Sequence, residues 1–405
     1  MSSSSSAFAS LEDIEVAGKT VFFRTDLNVP MVDGVITDTT RIDRTAPGIV
    51  ALAQRGARII VAAHFGRPKG TRDMTASLAP IAPALAKAAG RPVEFADDCI
   101  GPAVQDKVAV MKNGEILLLE NVRFYPGEEA GDEGFAKSLA ELADIYVNDA
   151  FSASHRDHAS TSIIAGFLPA YPGPLMAEEL AALSAALETP KRPVAAVVGG
   201  AKVSTKLAVL NHLVEKVESL IVGGGMANTF LLAKGIEIGG SLAEAEMAAD
   251  ARKIMAKAEE KGCELILPDD VVLSREFKEG AASRTLTLGE GEIAADEMIL
   301  DTGPATVKRA IEAVNSSHTI VWNGPMGAFE ITPFDAATVA LARHVAKRTI
   351  ENGLVSVAGG GDTVAALNTA GVEDQFHYVS TAGGAFLEWM EGRALPGVAA
   401  LMKKG

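Results

Sequence analysis

Apolar residues fall in short unbroken runs, and these runs alternate with alanine-rich stretches of helical period from end to end. In the first half the runs are "TVFFRTDLNV", "RIIVAAHFG", "EILLLENVRF" and "DIYVNDAFS". In the second half they are "PVAAVVGG", "SLIVGGG", "ELILPDDVV", "TIVWNGP" and "LVSVAGGG". Strands that are apolar at successive positions are covered on both faces, and such strands separated by helices form parallel sheets. "RTAPGIVALAQRG" and "SLAPIAPALAKAAG" read as crossover helices, each stopped by a glycine. The pattern predicts an α/β protein.

The two series are separated by "FLPAYPGP" and "TPKRP" (Thr189 to Pro193), which bracket the helical stretch "LMAEELAALSAALE". A helix held between prolines is a stiff connector. A chain of 405 residues also exceeds one ordinary core. The expected architecture is two Rossmann-like domains of similar size, each a parallel sheet flanked by helices, joined by a connecting helix with a cleft between. Residues 1–173 form the first, 174–190 the connector and 191–390 the second.

Charge narrows what such a protein can bind. The chain has 37 Lys and Arg against 52 Asp and Glu, a net of −15, which argues against a general nucleic-acid or anionic-membrane surface. An anion site must then concentrate positive charge locally. Cys99 and Cys263 are far apart without a C-x-x-C partner and read as reduced thiols of a cytoplasmic protein. No His/Cys grouping has zinc spacing, and no apolar stretch reaches membrane-spanning length. The start "MSSSSSAFAS" lacks the basic and apolar regions of a secretory signal and reads as a frayed tail.

Ligands of parallel α/β sheets gather beyond the carboxyl ends of the strands. In the first half those ends deliver Arg24, Asp26 and Asn28, then His64 and Arg67, then Arg123, then Arg156 with His155 and His158. Arg41 falls in the first turn of a helix that "TDTT" is expected to cap. Arginine forks match phosphate and carboxylate, and the first 170 residues hold 10 Arg and 6 Lys against 8 Arg and 13 Lys in the rest. The first domain is therefore expected to hold a small, multiply anionic molecule, with Asp26 and Asn28 receiving its hydroxyl groups.

In the second half, "VAAVVGGAKVSTKLAVL" reads as strand, Gly-Gly turn and helix, without the Walker or G-x-G-x-x-G spacing. Lys202 and Lys206, four apart, are expected on one face of that helix, where an anion would hold both. "VAGGGDTVAAL" ends another strand at Gly359, Gly360 and Gly361 before Asp362 and Thr363 open a helix. Thr363 can cap that helix or touch phosphate. A carboxylate beside a phosphate site calls for a cation between them, so Asp362 is the candidate Mg²⁺ ligand. Glu330 in "VWNGPMGAFE" could accept ribose hydroxyls, and Gly383 and Gly384 open one more helix.

With these residues assembled, the chain resembles the phosphoglycerate kinase family over nearly its whole length. "FFRTDLNVP", "HFGRPKG", "LLLENVRFYPGEE", "NDAFSASHRDHAS", "VVGGAKVSTK", "TIVWNGPMGAFE" and "AGGGDT" are similar to that family's motifs, in the family's order. The resemblance implies phosphoryl transfer between 1,3-bisphosphoglycerate and Mg-ADP, giving 3-phosphoglycerate and Mg-ATP in glycolysis, by a cytoplasmic monomer. It assigns 3-phosphoglycerate to Asp26, Asn28, Arg41, His64, Arg67, Arg123 and Arg156. It assigns ADP or ATP to Lys206, Glu330 and the turn Gly360, Gly361, Asp362 and Thr363, with Asp362 near Mg²⁺. Lys202 and Arg41 would stabilise the phosphoryl group in transit. The two domains are expected to close about a hinge, and residues 391–405 to pack back on the first domain. Phe65 stands where that family usually has leucine, and Ala382 replaces a usual glycine.

Other readings fare worse on the same residues. "HRD" at His155 to Asp157 resembles a protein-kinase catalytic loop, but D-F-G and A-P-E are missing and Ser162 stands at the loop asparagine. A nicotinamide dehydrogenase would need the absent glycine fingerprint. A non-catalytic anion-binding scaffold would have no need for both halves of the constellation.

Overall fold

The structure, a computed structural model, describes residues 8–402. The run of serines read above as a frayed tail lies outside the described residues. Twelve strands form two six-stranded sheets, numbered here β1 to β12 in chain order. The described chain divides into two compact units, 8–180 with 394–402, and 181–393.

In the first unit the strands are β1 (Thr20–Arg24), β2 (Arg58–Ala62), β3 (Val93–Phe95), β4 (Ile116–Leu118), β5 (Ile145–Asn148) and β6 (Ala170–Pro172). Their order is β3-β4-β2-β1-β5-β6, and every pair is parallel. The central strands β1 and β5 are buried at each position, as their unbroken apolar runs require. Phe23 pairs with Val61 on one side and Val147 on the other, and all three join Ile49 and Leu52 in the core. Those last two belong to helix α1 (Thr40–Gln54), which the chain leaves through Gly56 at φ +84°. Helix α2 (Ala82–Ala89) stops at Gly90 at φ +62°, a left-handed cap that glycine adopts freely. The "TDTT" segment does close the start of α1. Asp38 Oδ1 accepts from the backbone N–H and the hydroxyl of Thr40 at 2.7 and 2.6 Å.

The C-terminal residues belong to this first unit. Gly397 donates its N–H to the Ser154 carbonyl at 2.8 Å, and Phe8 and Met402 form an isolated antiparallel bridge. A helical stretch runs from Pro174 to Leu183 and continues as a π-helical turn to Glu188. Asp149 Oδ1 accepts the Met176 N–H at 3.0 Å and so caps its start.

In the second unit the strands are β7 (Val194–Val198), β8 (Ser219–Val222), β9 (Glu264–Ile266), β10 (Thr319–Asn323), β11 (Val355–Gly359) and β12 (Tyr378–Ser380). They pair in parallel in the order β9-β8-β7-β10-β11-β12. Within the unit this is the 3-2-1-4-5-6 order of dinucleotide-binding sheets. A separate antiparallel sheet places Asp270–Ser274 between Arg284–Thr287 and Met298–Thr302.

Two expectations are corrected here. "ELILPDDVV" is not one strand: β9 ends at Ile266, Pro268 interrupts the ladder, and Asp270–Ser274 belongs to the antiparallel sheet. The chain also does not turn helical straight after Gly200. Residues 201–206 form a turn, and the helix begins only at Leu207. Ser204 is drawn outward by Glu244, which accepts its hydroxyl and its N–H, and this contact opposes early helix formation.

Candidate functional site

The order of the first sheet reverses between β1 and β5, so the loops leaving their carboxyl ends flank the place where such sheets bind ligands. Those loops are tied together. Asp26 Oδ2 accepts from the Ser152 hydroxyl at 2.5 Å and from Arg41 Nη1 at 2.9 Å. Arg41 also donates to the Asn28 carbonyl at 3.0 Å, and Asn28 Oδ1 accepts the Gly66 N–H at 2.9 Å. Arg123 donates to the Gly66 carbonyl at 2.7 Å, and Arg67 stands exposed on the same loop, one residue further on. Asp26, Asn28, Arg41 and Arg123 are thus linked through three strand-end loops.

His64, Arg123 and Arg156 share one electropositive neighbourhood. Burial, then Arg24, Arg123, Arg156 and His158, push the His64 imidazolium well below the ordinary histidine range. Burial and the surrounding arginines bring His158 down to about 4. Burial followed by Arg156 lowers even Arg123 to about 10, although Glu129 Oε1 lies 3.1 Å from its Nε without hydrogen-bond alignment. Like charges held this closely are relieved by an anion.

Three residues of this site, Ser152, Ser160 and Glu128, escaped the sequence reading, and a fourth, Arg24, was read at its strand end without a role. Ser152 joins Asp26 as described. Arg24 is buried at the end of β1, and its Nε donates to Ser160 Oγ at 2.9 Å. The Ser160 hydroxyl donates in turn to Glu128 Oε1 at 2.6 Å, and its N–H to Glu128 Oε2 at 2.9 Å. Arginine closing the otherwise apolar run "TVFF" was the available signal; nothing in "PGEE" distinguishes Glu128 from its neighbour.

The second sheet reverses between β7 and β10. Three glycine turns lie side by side there. A Cβ on Gly199 would meet the Pro325 carbonyl oxygen at 1.8 Å, one on Gly223 the Met326 Cα at 2.6 Å, and one on Gly224 the Gly200 oxygen at 2.7 Å. The glycines are required because backbone packs on backbone. Gly223 and Gly224 come from "VGGGMANTF", which carried no weight by itself in the sequence. Lys206 closes the base of the turns, donating to the Gly199 carbonyl at 2.6 Å, the Asn323 carbonyl at 3.1 Å and Asn323 Oδ1 at 2.5 Å. Burial lowers its ammonium to about 8, with Asp362 opposing that shift. Lys202, exposed in the turn, does not share a helical face with it.

A cavity of about 430 Å³ opens beside these turns. Its lining includes Gly200, Gly224, Gly225, Glu330 and Asp362, with an apolar side formed by residues such as Leu242 and Phe277. Glu330 and Asp362 are exposed, as ligand contact requires. Gly360 and Gly361 begin the helix Gly361–Ala370, whose first N–H groups have no intrahelical acceptor. Thr363 lies beneath them, buried, its hydroxyl accepting the Gly324 N–H at 2.7 Å and donating to the Gly359 carbonyl at 2.8 Å. It fixes the turn from below. Asp301 also lines the cavity and anchors its wall, accepting the N–H groups of Thr302 and Ala337 at 2.9 Å each.

Among the described residues no three His, Cys, Asp or Glu side chains converge to hold a metal ion. A divalent cation here would rest on at most two such side chains and on oxygens brought by its ligand. None of the described helices is long and apolar enough to cross a membrane.

Comparison with known proteins identifies the family. A family model described as phosphoglycerate kinase matches residues 11–393. The chain is 57% identical over 395 residues to a phosphoglycerate kinase of Granulibacter bethesdensis, covering 98% of this chain and 99% of the relative. It is 56% identical over 397 residues to one from a Chelativorans species, with the same coverage. The solved structure of phosphoglycerate kinase from Coxiella burnetii superposes with a TM-score of 0.91 at 43% identity, over 97% of this chain and 98% of that one.

Proposed function

The chain belongs to the phosphoglycerate kinase family and is a phosphotransferase, and from that premise we propose that it transfers the acyl phosphate of 1,3-bisphosphoglycerate to Mg-ADP, reversibly, giving 3-phosphoglycerate and Mg-ATP in glycolysis and gluconeogenesis. The observation that carries the reading is the pairing of two unlike anion sites in one chain. One is an arginine–histidine cluster with hydroxyl-binding polar groups, the other a glycine-walled cavity beside turns that a lysine ties together.

Asp26, Asn28, Arg41, His64, Arg67, Arg123 and Arg156 hold 3-phosphoglycerate, in a domain spanning residues 1–173 with 391–405. Lys206, Glu330 and Gly360 to Thr363 hold the nucleotide, in a domain spanning 191–390. The apolar flank near Leu242 and Phe277 suits a purine ring, and exposed Glu330 suits ribose hydroxyls. Asp362 fits a magnesium ion, which is usually held by one or two carboxylates together with substrate phosphates. When bound there, the ion supplies charge neutralisation between the phosphates.

The acceptor in either direction, a carboxylate or a diphosphate oxygen, is ionised at neutral pH, so no general base is required. The chain's work is positioning and electrostatics. Lys202 and Arg41 offset the charge that spreads over the phosphoryl oxygens, and the N–H groups opening Gly361–Ala370 bind the phosphate that remains. Transfer is in line, without a covalent intermediate. Because each ligand is held by a different domain, the reading includes closure about the 174–190 helix, visible as compaction in small-angle scattering with both substrates bound. The buried free thiols Cys99 and Cys263 suit a reducing compartment such as the cytoplasm, and the family reading adds a monomer that meets only small-molecule substrates.

Calorimetry on single ligands tests the assignment. Arg123→Met is expected to lose 3-phosphoglycerate binding and keep ADP binding, and Lys206→Met the reverse. Loss of both ligands in either variant, with the fold intact, would contradict two separate sites.

A further inference from the structure

Arg24 differs from the other arginines of the cluster in having its whole fork engaged inside the protein. Its Nε donates to Ser160 Oγ at 2.9 Å, its Nη1 to the Thr25 carbonyl, and its Nη2 faces His64 Nδ1 at 3.0 Å. Arginine carries donors only, so Nδ1 must be the acceptor in that last contact. A proton on Nδ1 would set two N–H groups head to head. The ring's single proton therefore belongs on Nε2.

We infer that Arg24 fixes His64 as the neutral imidazole protonated on Nε2, so that the site presents its substrate's oxygen anion with a hydrogen-bond donor that is neither a cation nor a base. The donor role rests on the substrate reading above; the tautomer does not. Arg24 is held in place by a buried chain, through Ser160 to the Glu128 carboxylate, which is itself fully buried. The charged and titratable groups acting on the ring are Arg24, Arg123, Arg156 and His158, all cationic or capable of becoming so. The nearby carboxylates are engaged elsewhere, Glu128 by Ser160 and Glu129 by Arg123. A second proton on the ring would thus add charge to a site already crowded with it. Arg24 is a positioning residue: it acts on the substrate through His64.

The test is imidazole nitrogen NMR of the full chain, labelled in histidine, with His64 assigned by its loss in His64→Gln. The ligand-free protein is expected to show a pyrrole-type Nε2 and a pyridine-type Nδ1, with no titration from about pH 5.5 to about pH 8. A proton on Nδ1, or titration within that window, overturns the inference. In Arg24→Lys, His64 is expected to titrate or to mix tautomers. KM for 3-phosphoglycerate should rise about tenfold while kcat changes much less, as for losing one hydrogen bond to a charged group. An unchanged His64 spectrum in that variant overturns Arg24 as the cause, and if the variant fails to fold, the native spectrum decides. If the native tautomer is as expected but His64→Ala, which removes the donor, leaves KM for 3-phosphoglycerate unaltered, the donor role and the substrate reading of His64 fail together.

Discussion

Lys206 Nζ lies 2.5 Å from Oδ1 of Asn323, and the carbonyl oxygens of Gly199 and Asn323 complete its set of acceptors. One ammonium thereby joins the carboxyl ends of β7 and β10, the two strands between which the second sheet reverses. These acceptors favour the ammonium form, and it is burial that weakens its hold on the proton. Dipoles of two carbonyls and one amide replace water around a largely buried charge, and burial lowers its pKa to about 8.

A nucleotide phosphate brought to Lys206 should restore that proton. Near pH 8 the free protein is about half protonated there, so ADP binding should take up about half a proton. Calorimetry in buffers of different ionisation enthalpy measures the uptake directly. The uptake should vanish in Lys206→Met, whose nucleotide KM should also rise by about tenfold or more. Equal uptake in the variant would place the titrating group elsewhere.

Lys202 is exposed in the turn rather than fixed on a helix, which leaves it free to meet a phosphoryl group in transit. Lys202→Ala should lower kcat by about a hundredfold or more while substrate affinities change little, the behaviour of a charge used in the transition state. Steady-state kinetics in both directions check this. An unchanged kcat would remove Lys202 from the mechanism.

The glycine turns make a stability prediction. Gly199→Ala puts a methyl 1.8 Å from the Pro325 oxygen, and relieving that overlap should cost about 3 kcal/mol or more. Gly361→Ala, where the added methyl meets nothing within 4 Å, should change stability by about 0.5 kcal/mol or less. Urea unfolding of both variants makes the comparison, and equal losses would mean that close backbone approach is not the reason for glycine at 199.

Asp149 and Asp301 give the fold a pH dependence. Burial raises each to about 7 from the ordinary 3.8, against the N–H groups they accept. Between those values the folded chain keeps a proton that the unfolded chain releases. Stability should therefore fall as pH rises from about 4 to about 7 and level off above that. Asp149→Asn and Asp301→Asn should each flatten that slope while keeping an acceptor for the helix N–H. Unfolding midpoints across this range would expose an unaltered slope, which would contradict the assignment.

Sheet composition, the strand-end residues of the first unit and the glycine turns of the second were legible because each leaves a local mark. Strands buried on both faces are apolar throughout, and an arginine or glycine after such a run stands out. The edge strands β3, β6, β9 and β12 are three residues each, too short to carry a period, and three of them passed unnoticed. The helix expected to carry Lys202 and Lys206 failed because Glu244, forty residues away, holds Ser204 in a turn. Arg24 was visible at the end of β1, but not its role. That depends on Ser160 and Glu128, which only the folded chain brings to it.

The most direct test of the account is a coupled assay with 3-phosphoglycerate, ATP and Mg²⁺, following 1,3-bisphosphoglycerate through NADH oxidation. Turnover is expected, abolished by EDTA and reduced about a hundredfold in Lys202→Ala. No turnover from folded protein that still binds both substrates would contradict it.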